Sequence, residues 1–373
     1  MSSDNKPTPV GGRVLRRHPI RIFAAAATLL IIAVLLLVLS VVQSRRPASA
    51  LRQNGYLGPA DAGKHYAAAG NGLAVAGADR ICLYSAAGKL VAEAEVSFTQ
   101  PVCVGSSLMG AYYDLYAPGI EALYPDGRHR TAATEGAVAF ADVNETGLLT
   151  VILEKSDGTS VLMVYDTDLT ALFRWEPGSG YIINARTHGE DSLCVNCVGG
   201  EGAVLHFFRI DSADEQARLE LPGELVYDFD FLTDGTLAAV TGSRLVLVGS
   251  DGSVRSSLDY SGSHIEAWSL GGGFAAAATV SGESGGNGVI TTVAPDGRIL
   301  GSCSAPRHII ALSGGSDRLL ILFSGNESTL YGDDLEEFVS YQPEDDVDQV
   351  FLTPNGMAFY AGSGGVTLVD FGR

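Results

Sequence analysis

Short apolar runs alternate with tight Asp-Gly or Asn-Gly turns from about Ala67 to the C-terminus. The pattern reads as strand, turn, strand. Two copies share Pro-Asp-Gly-Arg: Tyr124-Pro125-Asp126-Gly127-Arg128 and Ala294-Pro295-Asp296-Gly297-Arg298. One unit runs from Val226 to Ser261. It holds Val226-Tyr-Asp-Phe-Asp-Phe-Leu, a Thr233-Asp234-Gly235 turn, Thr236-Leu-Ala-Ala-Val, a Gly242-Ser243 turn, Arg244-Leu-Val-Leu-Val, a Ser250-Asp251-Gly252 turn and Ser253-Val-Arg-Ser-Ser-Leu. That is four short strands joined by turn chemistry. The same order recurs from His264 to Cys303, and in Pro101–Thr131, Ala137–Trp175, Tyr181–Leu221 and His308–Tyr341. A first copy runs from near His65 to Val96, and a last from Val347 to Phe371.

Units of roughly 40 residues with four strands predict an all-β fold, a β-propeller of about eight four-stranded blades. Seven is the alternative count, because the first copy carries the weakest signals. The last copy stops after its third strand. A segment near the start, residues 53–66, is expected to supply its outer strand and close the ring.

A different pattern occupies the N-terminus. Ile22 to Val42 holds no charged residue, and Lys6, Arg13, Arg16, Arg17 and Arg21 precede it. About twenty apolar residues suffice to cross a bilayer core of roughly 30 Å as a helix. The basic excess on the N-side predicts a cytoplasmic N-terminus, with the rest outside. Ala48-Ser49-Ala50 resembles a signal-peptidase site, but the apolar run is longer than the roughly 7–15 residues of a signal peptide, so an uncleaved anchor is expected. The organisation is then a cytoplasmic tail (1–21), a transmembrane helix (22–42), a Pro- and Gly-bearing linker (43–64) and the propeller (65–373).

Composition sharpens this picture. Charged residues are 18% and hydrophobic residues 46%, with 46 glycines, which suits many short buried strands. The net charge is −19. The first fifty residues hold seven basic side chains and one acidic one, which leaves 17 basic against 42 acidic residues beyond them, a balance of −25. A surface so acidic repels phosphate backbones, so nucleic acid is excluded as a partner.

With its order of basic tail, single span, linker and repeats such as Asn71-Gly72-Leu73-Ala74-Val75 and Leu83-Tyr84-Ser85-Ala86-Ala87-Gly88-Lys89, the chain resembles uncharacterised single-pass membrane proteins of Gram-positive bacteria. Their external part is a WD40-like or quinoprotein-like propeller, and the resemblance implies no known activity. The chain has no Trp-Asp repeat signature. Tyr165 to Trp175 resembles a quinoprotein docking repeat without its glycine, and Trp175 and Trp268 are the only tryptophans. No cofactor is therefore expected.

The search for chemistry is short. No P-loop or dinucleotide fingerprint occurs. Cys194-Val195-Asn196-Cys197 sits inside an apparent strand, where an offset of three puts the thiols on opposite faces. With Cys82, Cys103 and Cys303 these read as structural cysteines rather than a redox pair or a zinc site. Asp142-Val143-Asn144-Glu145-Thr146-Gly147 resembles the start of a calcium loop, but Leu153 stands where the twelfth-position glutamate belongs, so a turn is expected. The acidic runs 333–337 and 344–348 read as solvated loops. Asn144 and Asn326 open glycosylation sequons.

The candidates that remain are rim positions of the channel. His264 and His308 open the first strands of adjacent units, and Asp228 and Asp230 alternate on one inner strand; no metal set follows from them. The expected function is a membrane-anchored extracytoplasmic propeller acting as a protein-interaction or scaffold module at the cell envelope. Its expected partners are the membrane, through residues 22–42, and an envelope protein. The balance leans away from an enzyme. The alternative is a small-ligand or sugar sensor, or a lyase-like enzyme, using the channel mouth.

Overall fold

In the computed structural model of the protein the described residues are 52–56, as a backbone strand, and 64–212, 214–260, 262–282, 288–362 and 365–371. The transmembrane helix expected over residues 22–42 lies outside them, as do the tail and most of the linker. Among the described residues no helix is long and apolar enough to cross a membrane.

The strands form eight four-stranded antiparallel sheets. Seven are uninterrupted meanders over residues 65–95, 101–132, 137–175, 181–222, 226–259, 264–304 and 309–341, blades 1 to 7. Blade 8 takes three strands from residues 349–370 and its outer strand from Arg52–Tyr56, paired antiparallel to Gly365–Asp370 through Arg52 with Asp370 and Gln53 with Val369. The closing strand is thus five residues long and ends at Tyr56. His65 and Tyr66, inside the segment expected to close the ring, instead begin the inner strand of blade 1, His65–Ala69.

Side-chain pattern follows position in the blade. Second strands such as Leu149–Glu154 and Leu237–Thr241 are buried on nearly every residue, because both faces meet neighbouring blades. Outer strands such as Val254–Asp259 alternate between exposed and half-buried. The core is eight apolar clusters, one at each blade-to-blade interface. Met109, Ile120, Val138 and Leu149 join blades 2 and 3. Tyr66, Leu73, Phe359 and Leu368 join blade 1 to blade 8 and so complete the ring. The strand Ser192–Gly199 sends Cys197 into the cluster shared with blade 3 and Cys194 into the one shared with blade 5, the opposite faces expected from their spacing.

The repeated aspartates work as turn residues. In 124–128 the Gly127 N–H donates to the Tyr124 carbonyl at 2.9 Å, and the Asp126 carboxylate accepts the Arg128 N–H at 3.0 Å. Residues 294–298 repeat the arrangement, with Asp296 accepting from the Arg298 N–H at 3.1 Å. The left-handed residue is the glycine (φ 86° and 87°) and not the aspartate, so these are type I turns ended by a glycine bulge. The Asn144 side chain caps the 144–148 turn through the Thr146 and Leu148 N–H groups, both at 3.0 Å, and its own Nδ2 donates to the Gly189 carbonyl. The resemblance to a calcium loop ends there.

Candidate functional site

The first strand of each blade is innermost, so all eight run the same way along the channel and their N-terminal ends meet at one mouth. In blades 3 to 7 each inner strand carries a bulge near that end, and the extra residue is Ala139, Ile183, Tyr227, Glu266 and Ile310 in turn. A bulge leaves one residue out of the ladder and re-aims its side chain. Two residues before it stand Ala137, Tyr181, Leu225, His264 and His308. The two histidines singled out from the sequence therefore occupy equivalent positions in blades 6 and 7. His308 Nδ1 lies 2.5 Å from Glu266 Oε1, on the blade that carries His264. In the same frame Tyr181, Ile183, Leu225, Tyr227 and Ile310 keep 64, 45, 51, 50 and 42% of their surface exposed. Blades 4, 5 and 7 thus hold apolar side chains open at equivalent positions, with His264 and Glu266 of blade 6 between them.

Deeper in the channel a charged cluster ties four blades together. Asp142, Arg186 and Asp230 each follow their bulge by three residues, and Asp228 follows its own by one. Arg186 Nη1 donates to Asp142 Oδ1 at 2.8 Å, Nη2 donates to Asp228 Oδ1 at 3.2 Å, and Asp230 Oδ2 lies 3.9 Å away. Trp268 Nε1, on blade 6, donates to Asp228 Oδ2 at 3.1 Å. Asp228 and Asp230 also accept the N–H of the following residue, at 2.9 and 2.7 Å. Three carboxylates thus face one guanidinium. Burial works against the charge of Arg186, but the three aspartates outweigh it and hold its proton more tightly than usual. Burial pushes Asp230 up to about 6, helped by Asp142 and Asp228 and opposed by Arg186. Arg186 Nε and the hydroxyl of Thr150, paired across the ladder with Asp142, have no protein partner.

Asp228 and Asp230 were legible as inner-strand aspartates. Arg186, Asp142, Trp268 and Glu266 were missed. Superposing the inner strands on their bulges brings Asp142, Arg186 and Asp230 to one level, and the signal for it is the three-residue step between buried positions, Val138 to Ala141 and Val226 to Phe229. Among the described residues no three His, Cys, Asp or Glu side chains converge as metal ligands. The acidic loop at 344–348 is held from beneath by Asn326, whose Nδ2 donates to the Pro343 and Asp345 carbonyls and whose Oδ1 accepts the Val347 N–H. Both sequon asparagines are thereby spent on loop carbonyls and amides.

A closed ring of eight four-stranded blades, with a charged inner cluster and an apolar mouth, defines an eight-bladed β-propeller. The chain belongs to the Family of unknown function (DUF5711), whose model matches residues 56–261, from the end of the closing strand through blade 5. Solved propellers share the fold. The C-terminal WD40 domain of Sif2 is 12% identical, with 87% of this chain and 99% of that one covered and a TM-score of 0.63. BamB from Moraxella catarrhalis is 11% identical, with 86% and 98% covered and a TM-score of 0.57. Sqt1 from Saccharomyces cerevisiae is 12% identical, with 86% and 100% covered and a TM-score of 0.59. No curated protein sequence matches the chain.

Proposed function

We propose that this protein is a membrane-anchored propeller that docks a protein partner at the cell envelope through the channel mouth formed by blades 4 to 7. The observation that carries the reading is the set of five large apolar side chains, Tyr181, Ile183, Leu225, Tyr227 and Ile310, held exposed at equivalent strand positions. Apolar anchors rimmed by polar groups are what protein interfaces are built from. His264, His308, Asp228 and Asp230 serve the same mouth in this reading, the histidines at the rim and the aspartates below it. The anchor is residues 22–42, with residues 1–21 in the cytoplasm and the propeller outside. Its support is the uncharged apolar run and the basic excess that precedes it. Orientation is tested by labelling intact cells with a membrane-impermeant maleimide. A cysteine introduced by Asp251→Cys, on an exposed turn, is expected to react, and one introduced by Ser3→Cys only after lysis. The reverse pattern would place the propeller in the cytoplasm and remove the envelope reading.

A further inference from the structure

Blade 4 is built longer than its neighbours. Its first three strands, Tyr181–His188, Ser192–Gly199 and Gly202–Arg209, have eight residues each, while every strand of the other blades has between four and seven. The extra length opens a cleft of about 540 Å³ between the outer strand of blade 3, Ala171–Trp175, and the outer half of blade 4. That volume is within the roughly 300–1,000 Å³ usual for small-molecule sites.

The lining is a paired set of polar groups around one aromatic platform. Trp175 stands 5.3 Å from the His206 ring and 5.1 Å from the Phe208 ring, centroid to centroid. His206 Nδ1 lies 2.8 Å from Glu215 Oε1, and Arg218 Nη2 donates to Glu220 Oε1 at 2.6 Å. Register puts His206 opposite Arg218, so both side chains share the sheet face turned to blade 3. The 199–202 hairpin of the same sheet and the link from blade 3 carry glycines. At Gly178, Gly199 and Gly200 an added methyl would meet nothing within 4 Å, and none of the three has a left-handed backbone. Neither packing nor turn geometry demands glycine there, and its effect is to leave the cleft open.

We propose that this cleft is a binding site for a neutral saccharide. Three carboxylates line it: Glu215 lies against His206, Glu220 against Arg218, and Glu201 stands on the 199–202 hairpin. What the pairs retain is spare hydrogen-bonding capacity: free lone pairs on both carboxylates and free N–H groups on the guanidinium. Sugar hydroxyls both donate and accept, and the C–H face of a pyranose ring suits an indole. Val198, the ladder partner of Tyr181, borders the cleft, but none of the five apolar side chains of the mouth lines it, so this inference does not rest on the docking reading.

The test is ligand-observed saturation-transfer NMR on the full-length protein in detergent. Maltotriose, cellotriose and chitotriose are the neutral probes and choline the cationic one. At least one trisaccharide is expected to bind. Its affinity is expected to fall by at least about tenfold in both Trp175→Ala and Gly200→Leu. Gly200→Leu fills the cleft at an unstrained position, so its melting temperature is expected to match the unaltered protein. Absence of any saccharide signal at millimolar concentration overturns the proposal. So does a signal that survives Gly200→Leu, or one given by choline alone.

Discussion

Arg186 is the residue on which four blades converge, and its surroundings are unbalanced. One guanidinium, 19% exposed, serves Asp142, Asp228 and Asp230, which are 20, 28 and 33% exposed. Replacing it by Met leaves three carboxylates facing one another, and a loss of about 2–3 kcal/mol at pH 7 is expected in denaturant titrations. The pH dependence has a definite sign. Asp230 binds its proton more tightly when folded, with a pKa of about 6, than in an unfolded chain, where aspartate titrates near about 3.9. Its contribution to stability is therefore full below pH ~4 and lost as pH rises through about 6. Melts of the unaltered protein and Asp230→Asn at matched pH are expected to diverge by on the order of 1 kcal/mol between pH ~4 and ~7, with screening in the channel limiting the size. A constant difference across that range would contradict the assignment. At this scale the sequence was half legible. Aspartates beside glycine announced themselves as turn formers, and Asp126 and Asp296 cap their turns as expected. The partner of Asp228 did not, because a salt bridge between strands 42 residues apart depends on register, which composition does not record.

Among the elements, the strands and their grouping into fours were the most legible. Continuous apolar runs marked the second strands, polar alternation the outer ones, and glycine turns the boundaries. The missing outer strand of blade 8 was also legible, since a last unit of three strands leaves an open edge. Its position was less so. Arg52–Tyr56, Arg-Gln-Asn-Gly-Tyr, has no apolar run, and what defines it is pairing with Gly365–Asp370. Deleting residues 52–56 from the full chain exposes the ladder of that strand. The melting temperature is expected to fall by several degrees, and soluble oligomers are expected in size-exclusion chromatography. A monomeric variant with an unchanged melt would mean that the interface of blades 8 and 1 alone closes the ring. The bulges at Ala139, Ile183, Tyr227, Glu266 and Ile310 were harder to read, since their only mark is a three-residue step between buried positions, as from Val138 to Ala141 or Val226 to Phe229. They set both the exposed mouth and the depth of the charged cluster.

For the whole molecule, eight blades around a channel give two distinct ends. One mouth carries Tyr181, Ile183, Leu225, Tyr227 and Ile310, and the other is bounded by the short turns after the inner strands, such as 106–109 and 232–236. Most of this asymmetry was hidden in the sequence, where Tyr227 and Ile310 read as ordinary members of apolar runs. The docking account makes the two ends behave differently in the native membrane. Photo-crosslinking tests that directly, with a photoreactive amino acid in place of Tyr227 at the mouth or of the exposed Leu108 at the far end. The account predicts one discrete crosslinked protein from Tyr227, absent from Leu108 and lost when Ile183→Asp is added. Equal crosslinking from both positions, or a Tyr227 product indifferent to Ile183→Asp, would contradict it.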